Sequence, residues 1–231
     1  MTKLPSPEIH ALLADLPLFT NMSPDEIDRI ARGSREIRAT KGSLLFHRGD
    51  PCLGFHLLLS GQIKLAFTSA QGNEKVVEVI RPGQSFGEAL MFMESPYIVD
   101  AQALADSHLL HVAKTTVDEE LAKDPKLARK MLASMAIRLH QMVNDLEGYS
   151  LHSGKERIVA YLLRELAPCA APGNAARLAL PTTKGIVASR LNLTQEHFSR
   201  ILHELSDEGL IVVHGREIEI PDLARLRASL D

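Results

Sequence analysis

Cysteine is scarce: Cys52 and Cys169 are the only two in 231 residues. That is too few for a disulfide framework, and the pair lacks the CxxC spacing of structural zinc or iron–sulfur sites, so a reducing compartment is expected. No apolar run approaches the roughly 18 residues of a membrane span. The start, Met1-Thr2-Lys3-Leu4-Pro5, is not followed by the apolar stretch of a secretory signal. The sequence reads as a cytoplasmic protein with no membrane partner. An excess of cations is also missing. The formal net charge is −3, and Leu151–Asp231 holds ten Lys plus Arg against ten Asp plus Glu. Bulk charge therefore cannot attract nucleic acid, and any electropositive surface must come from placement. HExxH, G-x-S-x-G and Walker-type glycine loops are absent, which argues against an enzyme. Apolar residues, in contrast, make up 45% of the chain, enough for the core of one large domain or two modest ones.

From about Ile9 to Ile37 the pattern reads as short helices. Leu12, Leu13 and Leu16 precede Pro17, and Ser23-Pro24-Asp25-Glu26 offers an N-cap, a proline at N1 and an acidic first turn, with Ile27 and Ile30 inward. Then Gly49-Asp50, Ser60-Gly61, Gly72-Asn73 and Pro82-Gly83 follow at intervals of 11 or 12 residues. They punctuate short apolar segments at Ser43–His47, Gly54–Leu59, Gln62–Phe67, Lys75–Ile80, Val99–Leu104 and Leu109–Val112. Such spacing predicts short antiparallel strands closing into a small barrel or jelly roll, and it disfavours a Rossmann unit.

Between Leu127 and about Tyr149 proline is absent and Gly148 is the sole glycine. Leu132, Met135, Leu139, Met142, Leu146 and Tyr149 recur at spacings of 3, 4, 3, 4 and 3, which is an a/d seam. A stripe of this kind either packs on its own domain or meets a second copy. A helix of ~35 Å joining two small domains leaves part of its seam wet unless a partner covers it, so a homodimer is expected. The domain expectation is a β-rich domain over 1–125, a dimerisation helix over 126–150 and a third part over 151–231.

In that third part, Ser153–Ala167 reads as a helix, Pro168–Ala176 as a loop and Arg177–Leu180 as a short strand. Thr182–Leu205 divides into a helix through Leu191, a turn at Asn192-Leu193 and a second helix capped by Thr194. Phe198, Ile201, Leu202 and Leu205 share one face of the second helix, and Glu196, Ser199, Arg200 and His203 share the other. Val187 and Leu191 point inward from the first helix, and Ala188 lets the crossing helix approach. This is the pattern of a helix-turn-helix, although an ordinary helical hairpin shares it. Leu210–Val213 and Glu217–Ile220, joined by His214-Gly215-Arg216, add a hairpin where a wing would lie. Double-stranded DNA is the implied partner. Arg200 can meet both O6 and N7 of guanine, Glu196 can accept from cytosine N4 and hold Arg200 at i+4, and Ser199 shares their face. Thr183, Lys184, Arg190, Thr194, His203 and Arg216 are the candidates for backbone phosphate.

Taken together, these residues resemble the Crp/Fnr superfamily of bacterial transcription regulators over nearly the whole chain. The Phe86-Gly87-Glu88 turn follows a glycine-punctuated roll, then come the a/d helix and the winged helix-turn-helix ending at Leu210-Ile211. Glu196-x-x-Ser199-Arg200 matches the E-x-x-S-R signature of the Fnr-type branch. The resemblance implies an α+β fold. It would comprise an N-terminal double-stranded β-helix (jelly-roll, cyclic-nucleotide-binding-like) sensor, a long dimerisation helix and a C-terminal winged helix-turn-helix. It further implies a ligand-responsive regulator, binding a palindromic TTGAT-like site as a dimer and working with RNA polymerase. Cyclic-AMP receptors of the superfamily hold the nucleotide phosphate with an Arg-Ser pair about ten residues after the glycine-glutamate turn. Pro96-Tyr97-Ile98-Val99 stands there instead, which argues against cyclic AMP. No cysteine precedes Cys52, which argues against the iron–sulfur cluster of oxygen-sensing relatives.

The run Glu88-Ala89-Leu90-Met91-Phe92-Met93, with Ala101-Gln102-Ala103, is most similar to the Dnr-type denitrification branch, which implies a response to nitric oxide through haem. Axial-ligand candidates are His10, His47, His56, His108, His111 and His140, none within a diagnostic motif. Phe86, Gly87, Glu88, Met91, Phe92, Met93 and Tyr97 are the expected effector-pocket residues. A different small organic effector, or a ligand-binding protein whose helix-turn-helix is packing only, remain as alternatives.

Overall fold

The computed structural model describes residues 7–14, 16–19, 22–69, 71–72, 74–166 and 174–230. Asn73, Ala167, Cys169 and most of the 168–176 loop lie outside the described residues. The chain forms two compact units, Met1–Leu139 and His140–Asp231.

The first unit opens with α1 (Pro7–Ala14), a 3-10 turn (Pro17–Phe19) and α2 (Pro24–Arg32). Ser23 and Glu26 close a reciprocal capping box at the start of α2, which satisfies two otherwise unpaired N–H groups, and Ile27 and Ile30 are buried as the pattern predicts. The helical reading is wrong at its end, because β1 occupies Ser34–Ala39. Its charges at Arg35, Glu36 and Arg38 mask the period of two, as befits an edge strand. The other strands are β2 (Leu44–Phe46), β3 (Gly54–Ser60), β4 (Ile63–Thr68), β5 (Glu74–Ile80), β6 (Ser85–Phe86), β7 (Asp100–Ala103) and β8 (Ser107–Ala113). They pair antiparallel into two four-stranded sheets, ordered β1-β8-β3-β6 and β2-β7-β4-β5. Gly61, at φ +88°, can only be glycine: an added Cβ would lie 2.3 Å from Ser107 Oγ and 2.5 Å from the Asp106 carbonyl.

Alternation along β3 and β8 feeds two cores. Leu58 and Leu109 face the roll interior with Phe46, Ile63, Ile80, Phe86 and Ala101. Phe55, Leu57, Leu110 and Val112 face the other way, against Leu13, Ile27, Ile30, Met91, Leu127 and Met131. Burial on both faces explains why β3 reads as a nearly continuous apolar run. Two helices of this unit escape the sequence pattern, α3 (Glu88–Phe92) and α4 (Lys114–Lys123). Glu120 of α4 is almost fully buried and paired with Arg29 of α2, Nη2 to Oε2 2.9 Å.

Helix α5 (Pro125–Leu151) runs 27 residues. Only its first turns are buried, at Leu127 and Met131. In the second unit, α6 (Gly154–Leu166) is followed by β9 (Ala176–Ala179), α7 (Lys184–Arg190), α8 (Gln195–Asp207), β10 (Val212–His214), β11 (Glu217–Ile220) and α9 (Leu223–Ala228). The strands order as β10-β11-β9. One core joins Ile158, Leu162, Val187, Phe198, Leu205, Ile218 and Leu226, with α6, α7, α8 and α9 all contributing. Among the described residues, no helix is long and apolar enough to cross a membrane.

Candidate nucleic-acid interface and sensor cavity

Two threonine caps set the helix-turn-helix. The Thr183 hydroxyl accepts from the Ile186 N–H to start α7, and the Thr194 hydroxyl accepts from the His197 N–H to start α8. Between the helices Asn192 takes φ +58°, a left-handed turn that asparagine tolerates. Ala188 is fully buried at the crossing, and a Cβ on Gly185 would reach within 2.7 Å of Gln195 Oε1. The turn is also held from α6: Arg157 Nη1 donates to the Leu191 carbonyl at 2.7 Å and to that of Asn192 at 3.3 Å. No local signal marks Arg157 for this role, because the contact spans 34 residues.

On α8, Phe198, Ile201, Leu202 and Leu205 are buried, while Glu196, Arg200 and His203 are exposed and Ser199 is half-buried beside them. Arg200 lies 4.0 Å from Glu204, one turn onward, so the carboxylate beside it is not that of Glu196. Arg216 is exposed at the wing tip next to Gly215, at φ +62°. Lys184 begins α7 and is half-buried. Arg190 is turned inward: its guanidinium is 4.0 Å from Asp145 and its carbonyl accepts from the Tyr149 hydroxyl. Tyr149 is thereby engaged inside its own unit. The rest of the expected seam is open, with Leu132 60%, Leu139 64%, Met142 55% and Leu146 64% exposed and Met135 half-buried.

In the first unit a cavity of about 730 Å³ opens at one end of the roll. Its lining includes Arg35, Phe46, Asp50, His56, Tyr97 and His111. Tyr97, among the residues expected at an effector pocket, lines this cavity, stacked on Phe46 at a centroid distance of 3.5 Å, and burial pushes its hydroxyl well above the usual tyrosine range. The other expected pocket residues are placed differently. Phe86 is buried in the inner core, Gly87 caps α3 at φ +95°, and Met91 belongs to the outer core. Phe92 and Met93 are exposed.

Glu88 is buried against Arg138 of α5, Nη1 to Oε2 3.6 Å, and burial raises its carboxyl above the usual range. The same guanidinium lies 3.3 Å from Glu78 and donates to the Ser85 carbonyl at 2.6 Å.

Of the candidate histidines, His10 is bonded to Asp28, His47 is exposed near Asp100 at 3.6 Å, His108 lies 3.4 Å from Glu36 and His140 is exposed on α5. His56 and His111 are buried at the cavity wall, ring centroids 4.9 Å apart. Burial, helped by His111 and Arg35, pushes His56 down to about 3, so its ring is neutral at neutral pH; burial lowers His111 as well. Among the described residues His56 Nδ1 has no hydrogen-bond partner.

Residues 36–124 match the cyclic nucleotide-binding domain family and residues 156–229 the Crp-like helix-turn-helix domain family. The anaerobic regulatory protein of Pasteurella multocida is 31% identical over 207 residues, a stretch covering 87% of this chain and 73% of that protein. The chain belongs to the Crp/Fnr superfamily of transcription regulators. The cyclic AMP receptor protein of Thermus thermophilus is 26% identical over 210 residues, covering 91% of this chain and 94% of that protein. The sensor domain of the transcriptional regulator DNR from Pseudomonas aeruginosa has 32% identity and a TM-score of 0.52, covering 58% of this chain and 91% of that one.

As a Crp/Fnr protein the chain is a DNA-binding transcription regulator and not an enzyme, and its recognition element is the capped pair α7–α8. Within this Crp/Fnr sensor, the glutamate of the glycine-glutamate turn is matched with an arginine from the chain's own long helix.

Proposed function

We propose that this Crp/Fnr regulator binds a palindromic site with TTGAT-like half-sites as a homodimer, Glu196, Ser199 and Arg200 supplying the base contacts. The observation that carries this is α8 itself, one face locked in the core and the other presenting these three side chains beside a wing. Arg200 suits guanine because its ion pair with Glu204 is long and exposed, hence weak and easily exchanged for a base. Thr183, Lys184, Thr194, His203 and Arg216 are proposed for phosphate, whereas Arg190 is given a positioning role through Asp145. The uncovered Leu132, Leu139, Met142 and Leu146 support a second copy along α5. Family membership supports RNA polymerase as a further partner.

For the effector, we propose nitric oxide sensed through haem. Of the candidates, His56 would hold the haem iron best, because it is neutral, faces a cavity and has an unpartnered ring nitrogen among the described residues. Haem iron would supply the coordination position for nitric oxide. The chain's own contribution is to hold the ring of His56 against Phe86, 5.0 Å away and nearly parallel.

Fluorescence anisotropy with a labelled TTGAT inverted repeat tests the DNA reading. The repeat should bind roughly a thousandfold or more tighter than a scrambled duplex at physiological salt. Equal affinity for both would reject sequence-specific recognition.

A further inference from the structure

We infer that the cavity at the open end of the roll, walled by Arg35, His111 and His56 in a cross-strand row that continues into the core at Phe86, binds a planar aromatic ligand bearing a carboxylate. The inference rests on the reading of the roll as the sensor. Register places the row. Arg35 pairs with His111 across β1 and β8, His111 with His56 across β8 and β3, and His56 with Phe86 across β3 and β6. Directly paired residues share a sheet face, so four side chains from four strands form one continuous strip.

The strip grades from water to core. Arg35 is exposed, His111 and His56 are 8% and 4% exposed, and Phe86 is 1% exposed. Two residues further along each strand, Ile37, Leu109 and Leu58 make an apolar row at the closed end. The facing wall is aromatic, Phe46 stacked on Tyr97. A ligand matching this gradient has an anionic head at Arg35 and a flat apolar body between the rings. It also needs one polar atom for the His56 Nδ1 that no described residue satisfies. Arg32 adds a second cation to the lining and Asp50 an opposing carboxylate, which favours a single carboxylate over a multiply charged phosphate. Porphyrin carboxylates and smaller aromatic acids share this chemistry.

Binding here would act on a sheet that has a second face. Phe55, Leu57, Leu110 and Val112 lie on that other face and share a core with Leu127 and Met131 of α5. β3 and β8 are therefore the single layer between the cavity and the root of the long helix.

Calorimetric titration of the full chain with 6-hydroxy-2-naphthoate, whose carboxylate meets Arg35 and whose hydroxyl at the far end of the ring meets His56 Nδ1, without DNA, tests the inference. One site per chain is expected, with a 15N shift at the His56 ring. Neutral 6-hydroxy-2-naphthamide and the exposed substitution Arg35→Glu should each weaken binding roughly tenfold, as loss of a charge-assisted bond does. His56→Phe keeps the ring stacked on Phe86 and should weaken it by a similar factor. Haemin added to the complex separates the sources: displacement assigns the cavity to porphyrin carboxylates, and independent uptake assigns it to a smaller acid. Absence of heat at millimolar 6-hydroxy-2-naphthoate, or affinity unchanged by both substitutions, would overturn the assignment. Inverted-repeat binding measured on the same preparations keeps the two readings apart, since a protein that retains specific DNA binding but ignores 6-hydroxy-2-naphthoate fails this inference alone.

Discussion

Arg200 and His56 are the residues whose surroundings most constrain what they do, and they do so in opposite ways. Arg200 stands in solvent on a helix whose other face is fixed, so its freedom is limited to reaching outward. Arg200→Ala should cost about 1–3 kcal/mol on the cognate half-site and flatten discrimination at one base pair, read by anisotropy on duplexes varied at each position. A uniform loss on every duplex would assign Arg200 to phosphate. His56 is defined by what it is denied. Its folded value, pushed down to about 3, lies below the ordinary 6.5, so between those values the unfolded chain takes up a proton that the folded chain refuses. Stability from the neutral ring is therefore whole above pH 6.5 and drains as pH falls toward 3, at up to ~1.4 kcal/mol per unit. Glu88, raised by burial, has the opposite sign and loses stability as pH rises through its folded value. Denaturant titrations of the first unit should thus show an acid-side loss that His56→Phe reduces; parallel profiles for the two proteins would contradict the assignment.

Among the elements, α8 and α5 were legible in the sequence because their chemistry is local. Threonine caps, a period near 3.6 and a one-sided apolar stripe suffice to place α8, and the 3-4 spacing suffices for the open stripe of α5. Leu139→Glu tests that stripe: charge on a dimer seam should give single subunits in sedimentation at micromolar concentration, whereas an unchanged dimer would move the interface off α5. β1 was not legible. Its pattern is charged, it follows a well-capped helix directly, and its strand identity comes from pairing with β8 some 70 residues away. The same reason hid the cavity. Arg35, His111 and His56 are distant in sequence and meet only through strand register, which no window of local text encodes. Tyr149 and Arg190 illustrate the converse, since local pattern placed one in the seam and the other on phosphate, while tertiary packing joins them to each other.

For the whole molecule, a net charge of −3 and a charge-neutral stretch from Leu151 to Asp231 mean that attraction to DNA rests on the placement of a few cations. One copy presents one α8, and a short half-site read by a single helix gives little discrimination among genomic competitors. Two copies joined along α5 would present two such helices to successive turns of one groove. The decisive observation is the stoichiometry of the complex, obtained by sedimentation of a labelled inverted repeat with increasing protein. Two chains per duplex, binding together and far more tightly than one chain binds an isolated half-site, is the predicted result. One chain per duplex, with equal affinity for the half-site and the full repeat, would contradict it.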